Sequence, residues 1–396
     1  MTCTPGALRY WPAILATVFF AQFAALAQSP GVFDDRIVFG QTAALDGPAA
    51  ELGLEMRRGI LAAFEEVNAE GGVNGRRLEL ISYDDGYEPE AAIENTLRLI
   101  DEDLVFALIG AVGTPTSAVT APIAAEAGVP FIAPLTGAEF LRDAALDEIV
   151  NLRASYFQET ERIVDWLISD LGIEDISVLY QDDSFGRAGL TGTRQALERR
   201  GLATVSEGAY PRNTTAVRRA LLAIRRGNPQ AVIIVGAYQP SAAFIQWARM
   251  LDLDTIFVNL SFVGSMALAD ALNAGSAETS TPDTFISQVV PLPDGDALPL
   301  QARYRAAMLE AHGDNNTGFT SLEGYLAGRL AVMVLQSMDG PPTRREFLNG
   351  LTQAENFDID GFHLDFAQGD NQGSDAVFLT VIDGAGEIVS LDDGQP

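Results

Sequence analysis

The chain has 396 residues, 54 acidic against 25 basic side chains, and a net charge of −29 at pH 7. That field repels phosphate backbones and anionic lipid surfaces, which argues against nucleic-acid and membrane-surface partners; the surplus itself reads as solubility or a salty habitat. A single cysteine, Cys3, and two histidines, His312 and His363, leave no material for a disulfide framework or a Cys/His zinc cluster.

The first residues read as a leader. Arg9 precedes an uncharged apolar run from Pro12 to Ala27, which ends in Ala25-Leu26-Ala27. The run is too short for a comfortable membrane span and carries a small-x-small cleavage pattern, with Gln28 following. Residues 1–27 are therefore expected to be a signal peptide, cleaved after Ala27. The mature chain is expected to be exported, without membrane insertion.

Apolar runs and amphipathic helices then alternate, the pattern of parallel α/β units. Strands are predicted at Arg36–Gln41, Leu78–Tyr83, Leu104–Ile109 and Val129–Ala133, with helices at Gly53–Glu70 and Pro89–Glu102. From about residue 150 the unit repeats, with strands at Ile176–Tyr180, Ala231–Val235 and Thr255–Val258. Helices between them are predicted at Gln158–Asp170, Gly189–Arg199, Ala216–Arg226 and Ala242–Leu251. A strand at Phe285–Val290, an acidic loop at Pro291–Pro299 and helices at Leu300–Ala311 and Ser321–Met338 come next. Late strands follow at Gly361–Phe366, Ala376–Asp383 and Glu387–Leu391. Helices followed by late strands mean that the chain returns to both lobes.

No nucleophile elbow, metalloprotease pair or phosphate loop is present. The pairs Asp84-Asp85 and Asp182-Asp183 sit just after strands, but adjacent residues point apart and read as turn-formers. His312 beside Gly313 suits a helix end, and His363 alternates within a strand. No catalytic residue, metal or cofactor is assigned.

One segment points to binding. Gly110 to Ser117 follows a strand and opens a helix, with Gly113 for a tight turn, Thr114 as the expected N-cap and Pro115 at the first helical position. Such a helix start holds a carboxylate or carbonyl group, or simply closes itself. The turn Pro134-Leu135-Thr136-Gly137 stands at the next strand end. Ser184-Phe185-Gly186 and Gly236-Ala237-Tyr238 stand in the same place in the second lobe. Phe185 and Tyr238 either cover an apolar ligand or stack on their own lobe.

Leu45-Asp-Gly-Pro48, Asn68 to Gly75, Tyr83-Asp-Asp85, Glu88-Pro89, Phe106 to Gly110 and Gly128-Val-Pro130 carry a likeness that runs from Ile37 to the last hairpin. The sequence resembles the leucine/isoleucine/valine-binding proteins, the exported receptors of ATP-driven (ABC) importers. The resemblance implies a type I periplasmic binding-protein fold: α/β, with two similar Rossmann-like lobes joined by a three-segment hinge. Lobe 1 is expected over 28–152 and 291–356, lobe 2 over 153–290 and 357–396. It implies a small-molecule ligand between the lobes, an inner-membrane permease as partner and no enzyme activity. A ligand-sensing module for a signalling receptor and, less well supported, a hydrolase are the alternatives.

By the same resemblance, Thr114 with Leu135, Thr136 and Gly137 holds the ligand's carboxylate. Phe185 and Tyr238 supply aromatic walls, and Leu52 stands where amino-acid binders have an aromatic. Ser261 aligns with the acid that pairs with a ligand's ammonium group. A buried ammonium without that partner is costly, so small carboxylates, amides and aromatic acids weigh as much as amino acids.

Overall fold

The computed structural model describes residues 1–2, 29–143, 145–274, 283–354, 356–366 and 370–391. Residues 3–27 of the predicted leader and its cleavage site lie outside them.

The first run builds one lobe from β1 (Arg36–Ala43), α1 (Ala50–Ala69), β2 (Arg77–Asp84), α2 (Pro89–Asp101), β3 (Ala107–Ile109), α3 (Thr114–Glu126), β4 (Phe131–Ile132) and β5 (Ile149–Val150). Its sheet is parallel throughout, in the order β2-β1-β3-β4-β5. β1 is buried from Ile37 onward, as a parallel strand covered on both faces must be, while β2 at the edge is mostly half-buried or exposed.

The second lobe begins with α4 (Tyr156–Asp165), which runs into a wider π-helical turn at Trp166–Asp170. Then come β6 (Ile176–Gln181), α5 (Ser184–Glu198), β7 (Ser206–Tyr210), α6 (Arg218–Arg225), β8 (Ala231–Val235), α7 (Tyr238–Met250), β9 (Ile256–Asn259), α8 (Ser265–Ala274) and β10 (Thr284–Gln288). β8, Ala-Val-Ile-Ile-Val, is wholly buried at the middle of this sheet.

The chain then returns to the first lobe. α9 (Pro299–His312) and α10 (Phe319–Gln336) pack on α1. A Cβ on Gly59 would lie 1.9 Å from the Ser321 carbonyl, and one on Gly324 2.2 Å from that of Met56. Only glycine lets the two helix backbones approach so closely. α11 (Arg344–Ala354) follows, with Phe347 edge-on to Phe106 at 5.5 Å. The hairpin β11 (Asn356–Ile359) and β12 (Phe362–Asp365) comes next. Finally β13 (Phe378–Ile382) adds antiparallel to β10 and β14 (Ile388–Ser390) antiparallel to β13, giving the order β14-β13-β10-β9-β8-β6-β7.

The chain thus passes between lobes three times: after β5, between β10 and α9, and between β12 and β13. One part of the expected division is corrected. Residues 357–366 were expected in lobe 2, but the β11–β12 hairpin docks on α9: Leu300 N–H donates to the Asp360 carbonyl at 3.1 Å and Arg303 pairs with Asp360 at 3.0 Å. β5, β7, α8, α11 and β11 are not among the predicted elements. β7, Ser-Glu-Gly-Ala-Tyr, is a polar edge strand with no apolar run to announce it.

Candidate functional site

In an open parallel sheet, ligands bind beyond the carboxyl ends of the strands where the order reverses. The first sheet reverses between β1 and β3, the second between β6 and β8. The turns at Gly110–Gly113, Asp182–Asp183 and Gly236–Ala237 therefore lead into the seam between the lobes.

The first lobe contributes hydroxyls. Thr114 is the first residue of α3; Gly113, not Thr114, is the N-cap, with φ at 104° and no side-chain cap. The Thr114 hydroxyl is thus free of its own helix end and shares a 2.7 Å hydrogen bond with that of Thr136. Thr136 Oγ1 also accepts from Ala138 N–H at 3.2 Å, and both threonines are fully buried. Leu135 acts through its backbone, accepting from Gly113 N–H at 3.2 Å and donating to Ala111 at 2.7 Å. Its side chain belongs to the core. Gly137 accepts from Tyr156 N–H at 2.7 Å, and a Cβ there would lie 2.6 Å from the Tyr156 ring. The Tyr156 hydroxyl, fully buried, is near the two threonine hydroxyls but makes no hydrogen bond of normal length. Burial raises its pKa, so it stays a neutral donor.

Aromatic rings fill the seam. Phe185 lies 5.2 Å from Tyr156 and 4.5 Å from Phe262, and Phe262 lies 5.9 Å from Tyr87. Tyr87 comes from the first lobe, Phe185 and Phe262 from the second. Tyr87 is held at φ 62°, an unusual value for a bulky residue, and its ring covers Gly113, where a Cβ would lie 2.1 Å from it. Its hydroxyl accepts from Gln181 Nε2 at 3.3 Å, and Tyr210 donates to the same amide at 3.2 Å.

A guanidinium stands at each end of this row. Arg153, in the first crossing, lies 5.9 Å from the Tyr156 ring, and Arg212 lies 6.0 Å from that of Tyr87. Arg153 is buried and donates to Glu159 at 2.9 Å, to Ser261 Oγ, and to Glu323 on α10 at 3.4 Å. Glu159 also accepts from the Ser261 N–H at 2.9 Å and from the Ser261 and Ser287 hydroxyls. Burial pushes the Glu323 carboxyl up to about 7, while Arg153 pulls it down and Glu159 pushes it further up. Ser261 is thus tied into an internal charge cluster.

Asp183 caps α5 through Phe185 and Gly186 N–H, accepts from Gln181 at 2.6 Å and faces Arg212. Asp85 is likewise engaged by Thr42 and by Tyr87 N–H, and burial raises its pKa to about 6. Asp84 accepts three backbone N–H groups, from Leu45, Asp46 and Gly86. These are turn-forming roles.

Leu52 and Tyr238 lie apart from the Thr114 group. They line a cavity of about 340 Å³ between the lobes, with Glu51, Glu55, Ser265 and Phe319. Gly264, at φ 77°, admits Leu52: a Cβ there would lie 2.8 Å from its Cδ2. His312 Nε2 meets the Arg58 carbonyl at 2.9 Å, and His363 is exposed on β12. Among the described residues no cluster of metal ligands occurs, and no helix is long and apolar enough to cross a membrane.

The sequence reading passed over Tyr87, Arg153, Tyr156, Glu159, Phe262 and Glu323. One signal was available: Glu323 is the only charge in the first ten residues of α10, an otherwise apolar stretch. A charge so placed implies a buried partner.

The chain is similar to a possible leucine/isoleucine/valine-binding protein from Rhodopirellula baltica SH 1, with 39% identity and a TM-score of 0.84 over 90% of this chain and 96% of that one. It is 23% identical to an amino acid binding protein of Pseudomonas aeruginosa, over 74% of this chain and 77% of that protein. It is 26% identical to the leucine-, isoleucine-, valine-, threonine- and alanine-binding protein of the same species, over 63% of this chain and 67% of that protein. Residues 36–387 match the family described as periplasmic binding protein. The chain belongs to that family, in its leucine/isoleucine/valine-binding branch of type I folds.

Proposed function

We propose that this protein is a periplasmic receptor that captures a small organic carboxylate between its lobes and hands it to an ABC permease, without transforming it. The observation that carries the ligand reading is the buried Tyr156 hydroxyl beside the Thr114–Thr136 pair, at the start of α3. A carboxylate there receives hydroxyl donors and the free amides of a helix N-terminus. Phe185, Phe262 and Tyr87 cover its apolar body. An α-ammonium group finds no free acid beside it, since Glu159, Asp183 and Glu323 are already engaged. Export follows the leader, with Gln28 as the expected mature N-terminus.

The test is a thermal-shift screen of the mature chain against small carboxylates, their amides and amino acids. A ligand at 100 times its Kd adds about 2.7 kcal/mol to the folded state. Stabilisation by a carboxylate lacking an amino group supports this reading. Stabilisation by leucine-like amino acids alone overturns the ligand class, and turnover of the bound compound overturns the receptor role.

A further inference from the structure

Arg142 lies behind the Thr136–Gly137 turn. Its Nη1 donates to the Ala138 carbonyl at 2.8 Å. Its Nη2 donates to the carbonyls of Arg153 at 3.0 Å and of Thr136 and Ala154 at 3.4 Å, and its Nε to Gln372 Oε1. It is partly buried and, among the described residues, forms no ion pair; Glu139 acts on it without touching it. Burial, then Arg153, lowers its pKa to about 10, against the opposite pull of Glu139, Tyr156 and Glu159. Arg153 differs, with two carboxylates against it.

A trans peptide directs its N–H opposite to its C=O. The Thr136 carbonyl faces Arg142, so the Gly137 N–H points the other way, and among the described residues it donates to no acceptor. The guanidinium therefore stands at the rear of a peptide whose positive end is free. Fixed charge and dipole act in the same direction and favour an anion.

We propose that Arg142 is a positioning residue that makes the cleft selective for a carboxylate anion over a neutral ligand of the same shape. This rests on the carboxylate reading above. Arg142 touches no ligand; its charge acts through the Thr136–Ala138 peptides, so it changes affinity for a charged ligand far more than for a neutral one.

The test is titration calorimetry on the mature chain with benzoate and isovalerate, each against its primary amide. In the unmodified chain each acid is expected to bind at least about tenfold more tightly than its amide. Arg142→Met, or the milder Arg142→Gln, is expected to abolish that ratio while amide affinity stays within about twofold. Arg142→Lys, which keeps the charge, retains the preference for the acid. A ratio unchanged in the neutral variants, an equal loss for acid and amide, or loss of preference in Arg142→Lys overturns the proposal. If neither acid binds the unmodified chain, the carboxylate reading itself fails, a result distinct from an unchanged ratio.

Discussion

The two ends of the aromatic row are closed by the same chemistry in different surroundings. At the hinge end Arg153 is 1% exposed and faces two carboxylates that are 0% and 7% exposed. At the other end Arg212, 22% exposed, meets Glu88, 46% exposed, and Asn213 adds bonds of 3.0 Å to the Gly86 carbonyl and 2.8 Å to Glu88. Both tie the lobes together. Water screens the second pair more than the first, so the hinge end is expected to hold the architecture and the Arg212 end to yield first. The comparison separates what holds the lobes in register from what lets them part.

Removing Arg153 tests the rigid end hardest. Arg153→Met leaves Glu159 and Glu323 buried without a countercharge and is expected to cost about 3–5 kcal/mol in urea denaturation. A loss under about 1 kcal/mol would place the two ends on a par.

Glu323 sharpens the same contrast through pH. Its carboxyl is raised from 4.5 to about 7, so the folded state holds the proton more tightly than the unfolded state. Stability from this group is therefore present below about 4.5 and declines as pH rises through about 7. Glu323→Gln removes that decline; parallel pH–stability curves for the two proteins would contradict it.

Thr114→Ala tests the seam between the two ends, with an expected loss of about 1–3 kcal/mol in ligand affinity and little change in folding. Unchanged affinity would take this hydroxyl out of the site. The smallest effect is expected at the solvent-screened end, where Arg212→Ala should change stability by less than about 1 kcal/mol. That variant should speed ligand release in stopped-flow experiments; a large stability loss would make this end structural too.

The sequence makes the fold legible because burial leaves a periodic trace. β8 reads as an unbroken apolar run, and α1 repeats its apolar face at helical spacing. The candidate site is legible only where it follows strand ends, as at Thr114 and Thr136. Arg153, Glu159, Ser261 and Glu323 are brought together by the three crossings from widely spaced parts of the chain, and no local pattern announces such a meeting. Thr114 shows the limit at short range. Whether a threonine at a helix start caps its own helix depends on where the flanking glycine turns, and Gly113 at φ 104° takes the cap itself.

The three crossings also bear on how the molecule assembles. The first lobe waits for α9 and α10, which begin at Pro299, and the second sheet waits for β13, which begins at Phe378. Each lobe therefore receives part of its structure after the first 290 residues. Joining these late elements to the early ones takes loop closures that span most of the polypeptide, a high-contact-order route that slows folding. A chain that completes its fold slowly stays threadable for longer, which would suit the export proposed above.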